Sequence, residues 1–172
     1  MNETMFSILL VAVGLLIGFI IAFVINSLKV SRASKKAESM IANAKKEIEK
    51  VWKWKDTNIY FTVILMLIYS GCRISELLDL KKENVNLSER WFDVVASKTE
   101  AGIRKVPISQ KVLPFFEYWY NLNNCDYLLS TPDGKHLDYR NYYDSYWKPL
   151  VEQLGLKHTP HCTRHTCVSL LA

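Results

Sequence analysis

The chain has 172 residues, of which 49% are hydrophobic, and it carries a formal net charge of +5 with a pI near 9.0. This length allows one domain with appendages, and the basic balance suits a polyanionic partner, either nucleic acid or anionic lipid. Its cysteines form no Cys-x-x-Cys pair and lie in apolar or helical contexts, which indicates reduced thiols and argues against a disulfide framework; they are Cys72, Cys125, Cys162 and Cys167.

Residues 1–28 are predicted to be a transmembrane anchor. Residues 5–28 contain no charge, and this run exceeds the roughly 20 apolar residues that a helix needs to cross a bilayer. A cleaved signal peptide is disfavoured because only Glu3 precedes the run and no small-x-small cleavage site follows it. Four basic residues come directly after it, so the positive-inside rule predicts a single pass with the remainder in the cytoplasm (Lys29, Arg32, Lys35 and Lys36).

Residues 29–50 are predicted to form a polar helix, either a short coiled coil or a single solvated helix. Residues 1–47, including the stretch from Lys36 to Glu47, resemble the membrane anchor and the start of the coiled coil of bacterial ribonuclease Y. The resemblance implies anchoring only, because the catalytic and RNA-binding domains of that family have no counterpart here. Self-association through the anchor and the polar helix is a further expectation, since Gly14 and Gly18 form a small-x-x-x-small pair.

Residues 51–172 are predicted to form an α+β domain, mainly helical with a small antiparallel hairpin. Its elements are a buried core helix over 58–69 ended by Ser70-Gly71, a helix over 72–80, strands over 90–96 and 103–108 joined by a turn at 98–102, helices over 109–122 and 139–154, and a last helix with Thr159 as its cap and Pro160 in its first turn. A crossover between the anchor and this domain is predicted near residues 45–50.

Several polar residues in this domain are candidates for chemistry. Arg73 follows a glycine turn, and Glu76 lies one helical turn later, a pair that taken alone predicts a surface salt bridge. Lys98 is placed at the hairpin bend, where a lysine is usually solvated. His161 and Arg164 share a helix face, and an imidazole beside a guanidinium suits a reacting phosphate.

Three segments in order, 71–80, 97–108 and 161–166, resemble the successive motifs of tyrosine recombinases, in particular those of phage and conjugative-transposon integrases. The resemblance covers residues from about 50 to 172. It implies that Arg73 and Arg164 clamp the scissile phosphate and that Glu76 supports Arg73. It further implies that Lys98 donates a proton to the leaving 5′ oxygen, that His161 serves in general acid–base catalysis, and that the partner is double-stranded DNA.

The implied chemistry is physically consistent without a metal or any other cofactor. Two guanidiniums neutralise the charge of a pentacoordinate phosphorane, while Lys98 and His161 supply proton transfer at an alkoxide. A zinc site is the alternative for five residues crowded near the C-terminus, but the glutamate of a zinc helix is missing and Arg164 would repel a cation; these residues are His158, His161, Cys162, His165 and Cys167.

Two departures from the recombinase pattern bear on activity. No tyrosine follows Arg164 in this sequence, and the last one, Tyr146, belongs to a different predicted helix. Without that phenol no 3′-phosphotyrosyl intermediate forms in cis. The helical core-binding domain is also missing from the sequence. We therefore expect a DNA-binding recombinase fragment that is inactive alone, with a membrane-anchored interaction module without catalysis as the alternative.

Overall fold

The computed structural model describes the backbone of residues 3–95 and 102–171, with side chains from residue 14 to residue 170 within those ranges. The chain divides into two compact units, Met1–Asn43 and Ala44–Ala172. Helix α1 (Glu3–Trp54) makes up the described part of the first unit and also supplies the first element of the second. The two predicted N-terminal segments are therefore one continuous helix.

In the first unit, most of the apolar side chains that the structure describes, from Gly14 onward, are exposed. Leu15, Phe19 and Phe23 are each more than 60% exposed, and the 18-residue window found from Gly14 onward has a mean hydropathy of 2.0 with none of it buried. By length and composition this helix is able to cross a membrane, a criterion that N-terminal signal sequences and core helices of soluble proteins also meet. Val30 and Met40, which fall on heptad-like spacing in the predicted polar helix, are exposed as well.

The second unit is built around helix α2 (Tyr60–Ser70), which confirms the predicted core helix. Every residue from Tyr60 to Ile68 is buried, and helices α4 (Leu113–Asn121) and α7 (Cys162–Leu171) pack against it. Gly71 ends α2 in the left-handed conformation (φ 61°), and its N–H donates to the Leu67 carbonyl. The short helix α3 (Ile74–Leu78) follows, with Leu77 and Leu78 buried and Ile74 half-buried.

A three-stranded antiparallel sheet follows a single 3-10 turn, Lys82–Asn84. Strands β1 (Val85–Asn86), β2 (Trp91–Val94) and β3 (Arg104–Pro107) are ordered β1-β2-β3, with Phe92 opposite Val106. The predicted hairpin is confirmed. Strand β1 was not predicted, because two residues are too few to show an alternating pattern. The hairpin connection over residues 96–101, including Lys98, lies outside the described residues.

The predicted helix over 139–154 is interrupted. It consists of α5 (Tyr139–Tyr142), a π turn (Tyr143–Trp147) and α6 (Lys148–Gln153). Pro149 has no N–H to donate to the carbonyl four residues earlier, so the regular α-helical hydrogen bonding is broken there, and α6 resumes with this proline in its first turn. This physical reason was visible in the sequence, but the predicted helix took no account of it.

Two helix starts were also predicted too early. Helix α4 begins at Leu113, four residues after the predicted start, because the Ser109 carbonyl accepts from the N–H groups of both Val112 and Leu113 in a tight turn. Helix α7 begins at Cys162, and Thr159 does not cap it in the predicted way. Its hydroxyl lies 3.6 Å from the Cys162 Sγ, and its carbonyl accepts from the Cys162 N–H.

Candidate functional site

The end of α2 and the last helix meet at Gly71. The Arg164 Nη1 atom on α7 donates to the Gly71 carbonyl at 3.1 Å, across 93 residues of sequence. The Cys167 Sγ packs so close to Gly71 that a Cβ atom added there would lie 2.9 Å from it. Arg73 comes two residues after this junction. The fold therefore brings the Arg73 segment and the Arg164 helix together, as the resemblance implies.

Arg73 is held by the buried carboxylate of Glu76. The Arg73 Nη1 atom donates to Oε1 at 2.7 Å, and the Arg73 backbone N–H donates to Oε2 at 2.8 Å. The second contact also satisfies a free N–H at the start of α3. The Glu76 side chain is only 3% exposed, whereas that of Arg73 is 43% exposed. The pair is thus a support for Arg73, and the surface salt bridge predicted from the segment alone is wrong.

A third arginine, Arg104 on β3, shares the same carboxylate. Its Nη2 atom donates to Oε2 of Glu76 at 2.9 Å and its Nη1 atom to Oε1 at 3.3 Å, a two-pronged contact. Burial alone would raise the pKa of Glu76, but hydrogen bonds from Arg104 and then from Arg73 outweigh it and lower that pKa to about 2. Glu76 is therefore ionised at neutral pH and raises the pKa of Arg104 in return.

Sequence reasoning missed Arg104, although one signal pointed to it. Along β3 the inward positions alternate, and Val106 is buried opposite Phe92 on β2. Arg104 lies two residues before Val106, opposite the buried Val94, at a position where an apolar residue is expected. A charged residue on an inward face implies a buried partner of opposite charge.

A shallow cleft lies between the end of α2, strand β3 and helix α7. Its lining includes Gly71, Arg104, Lys105, Arg164 and Cys167, so two guanidiniums border one recess, whereas the Lys105 ammonium lies over the Trp91 ring, 3.3 Å from its centroid. Desolvation raises the pKa of the Cys167 thiol despite the nearby Arg164, which keeps the sulfur neutral. The cleft is accordingly an electropositive recess suited to an anion.

His161 lies just before α7 and is exposed. Its ring packs edge-on against that of His165, with 5.1 Å between centroids. Among the described residues no group of three or more His, Cys, Asp or Glu side chains is placed to hold a metal ion. The expectation of metal-free chemistry stays a prediction. So does the role of Lys98, which lies outside the described residues.

The fold, mainly helical with a three-stranded antiparallel sheet, matches that of tyrosine recombinase catalytic fragments. The sequence profile of the phage integrase family matches residues 33–172, which is most of the chain. The chain belongs to the phage integrase family.

Individual relatives agree with this membership. Tyrosine recombinase XerA of Pyrococcus horikoshii is 32% identical over 126 residues, which cover 70% of this chain and 43% of that protein. A tyrosine recombinase of Thermosipho africanus is 28% identical over 107 residues, covering 61% and 37% respectively. The chain thus spans less than half the length of these curated relatives.

Solved structures show the same fold. A crystal structure of XerA recombinase superposes with a TM-score of 0.63 at 24% identity, covering 73% of this chain and 48% of that one. The Tn1549 transposon integrase, solved in complex with transposon right end DNA, superposes with a TM-score of 0.62 at 21% identity, covering 72% and 50%. At these identities the likeness extends to the fold alone.

Proposed function

We propose that this chain binds double-stranded DNA and presents a phosphate clamp of the tyrosine-recombinase type, in which Arg73 and Arg164 contact the same phosphate. The observation that carries the proposal is the Arg164–Gly71 hydrogen bond, which brings the second arginine to the segment that bears the first. Among the residues that the structure describes, neither arginine is paired with an exposed carboxylate: Glu76 is buried beneath Arg73, and Arg164 is bonded to a neutral carbonyl. The DNA complex of the structurally similar Tn1549 integrase also supports DNA as the ligand.

In the proposed reaction the two guanidiniums stabilise the negative charge on the non-bridging oxygens of the phosphorane, which forms when an entering hydroxyl oxygen loses its proton and bonds to phosphorus. The bond from phosphorus to the 5′ oxygen breaks, Lys98 donates a proton to that oxygen, and His161 assists proton transfer. These 172 residues place no tyrosine after Arg164. The nearest preceding one, Tyr146, is stacked on Tyr60 with 3.6 Å between ring centroids. We propose that this polypeptide binds DNA without forming a covalent adduct by itself.

The binding proposal is tested with the full chain, kept in mild detergent, and a fluorescent DNA duplex. Arg164→Ala should weaken binding by roughly tenfold, because a charge-assisted contact to phosphate is lost. Arg140→Ala is the matched control, since Arg140 is 94% exposed and meets only Asp144 at 4.0 Å among the described ion pairs. Equal affinities for wild-type protein and Arg164→Ala would contradict the clamp. A covalent adduct on nicked DNA in a single turnover would contradict the predicted inactivity.

We also propose that α1 anchors the chain in a membrane through residues 5–28, with the second unit in the cytoplasm. The length, hydropathy and exposed apolar surface of this helix support the proposal, as do the four basic residues that follow the apolar run. The likeness to the ribonuclease Y anchor and self-association through this helix stay predictions. If the chain is anchored in the membrane but does not bind DNA, the alternative function, a membrane-anchored interaction module, would be favoured.

A further inference from the structure

We infer that Arg104 is a positioning residue, which sets the orientation of Arg73 through the carboxylate of Glu76. The inference rests on the proposed function, because Arg73 is there the phosphate ligand. Each Glu76 oxygen accepts one hydrogen bond from each arginine: Oε1 from both Nη1 atoms, and Oε2 from the Arg73 N–H and the Arg104 Nη2.

Arg104 is held by contacts other than those with Glu76. Its backbone belongs to strand β3 and pairs with Val94 on β2, and its Nη1 atom also donates to the Gly102 carbonyl at 2.8 Å. Its side chain is 30% exposed, less than that of Arg73. A guanidinium held by its own strand and by a carbonyl loses little further freedom when it binds a carboxylate.

Glu76, in contrast, belongs to α3, a helix of five residues. A helix this short is not stable on its own and depends on tertiary contacts for its position. The two-pronged contact from Arg104 connects α3 to the sheet. Glu76 in turn holds Arg73 through a side-chain and a backbone hydrogen bond. The order of support is therefore strand β3, Arg104, Glu76, Arg73.

In this arrangement Arg104 holds Glu76, and Arg73 is left to bind an anion. Both Nη atoms of Arg104 donate to Glu76 and Nη1 also donates to the Gly102 carbonyl, so its guanidinium is oriented toward these acceptors. Arg73 keeps 43% of its side chain exposed and is free to meet an anion. Loss of Arg104 should leave the Arg73 charge in place but widen the range of positions that its guanidinium occupies, which weakens a contact that depends on geometry.

A double-mutant cycle on DNA binding tests the inference, with Arg104→Gln and Arg73→Ala alone and combined in the full chain. Arg104→Gln should weaken binding roughly tenfold in the wild-type background and have almost no effect in the Arg73→Ala background. Additive losses would mean that Arg104 meets DNA directly and would overturn the inference. Arg90→Gln is the control, since Arg90 is an exposed arginine of the β1–β2 connection, bonded to Gln110.

Two further readouts keep the result interpretable. Thermal unfolding of each variant identifies loss of folded protein, and a DNA effect that follows unfolding alone would overturn the inference. The Nε–H resonance of Arg73 in the free protein should shift and broaden in Arg104→Gln but not in Arg90→Gln. An unchanged resonance would overturn the inference even if the wild-type protein does not bind DNA, an outcome that would count against the proposed function instead.

Discussion

At the scale of single residues, Glu76 is the group on which the site depends. It is a buried carboxylate that accepts hydrogen bonds from Arg73 and Arg104, so its charge is compensated where water is excluded. Breaking a buried ion pair typically costs about 3–5 kcal/mol, and the remaining arginine reduces that cost when only one of the two is replaced. The position is therefore sensitive both to substitution and to protonation.

Stability should depend on pH through this carboxylate. Its pKa is lowered from 4.5 to about 2 in the folded chain, so its stabilising contribution is complete above pH 4.5 and is lost as the pH falls toward 2. Denaturant unfolding at a series of pH values should show the free energy of unfolding decreasing across that window. In Glu76→Gln this part of the slope should be absent. An identical slope in both proteins would contradict the assigned role.

Local patterns predicted the near pair Arg73–Glu76 and missed the distant pair Arg104–Glu76, whereas the approach of Arg164 to the Arg73 segment was expected from the family resemblance alone. Glu76 is three residues from Arg73, and helical spacing alone predicts that the two meet. Arg104 is 28 residues from Glu76, so their contact depends on where the sheet packs, which no local pattern specifies. The burial of Glu76 was missed for the same reason, because the sheet that packs against α3 buries it and the sequence of α3 does not indicate that packing.

At the scale of elements, the junction between α2 and α7 determines where Arg164 lies. Gly71 reverses the chain with φ 61° and also receives Cys167 of α7. Gly71 thus allows the left-handed backbone that ends α2 and also leaves room for the Cys167 side chain. The other glycines with positive φ, Gly134 and Gly155, would have nothing within 4 Å of an added Cβ.

Gly71→Ala should consequently be more harmful than Gly134→Ala. Both substitutions strain a left-handed backbone, but only the first adds a clash, with the Cys167 Sγ at 2.9 Å. The expected difference in unfolding free energy is about 1–3 kcal/mol, the usual cost of overpacking. Adding Cys167→Ala to Gly71→Ala should recover part of it. Equal effects of the two glycine substitutions would show that packing at the junction is unimportant.

Elements with a strong hydrophobic signal were predicted well, and irregular ones were not. Helix α2 is predicted by its apolar composition, and strands β2 and β3 are predicted by the alternation of apolar and polar residues. The π turn at Tyr143–Trp147 goes with the missing N–H of Pro149, and the late start of α7 at Cys162 goes with one backbone hydrogen bond from Cys162 to Thr159. Periodicity does not register such bonds, so the boundaries shifted although the elements were present.

At the scale of the whole molecule, the apolar half of α1 should behave as a membrane segment. Cell fractionation with alkaline extraction should leave the chain in the membrane, since the apolar run of residues 5–28 has the length of a bilayer-spanning helix. Replacing Phe19 and Val24 by arginine should release it, because charges near the middle of a span oppose insertion. A wild-type chain that is extracted by alkali, or that lacks residues 1–28 when sequenced, would contradict anchoring.

The most direct test of the account is the salt dependence of DNA binding. The logarithm of affinity falls with the logarithm of salt by about 0.9 for each phosphate neutralised. If Arg73 and Arg164 share one phosphate, that phosphate stays neutralised while either arginine remains, so each single variant should change the slope little, the double variant should lower it by about 1, and Arg140→Ala should not change it. A decrease of about 2 in the double variant would place the arginines on separate phosphates, and an unchanged slope in the double variant would remove them from the interface; either result contradicts the shared clamp.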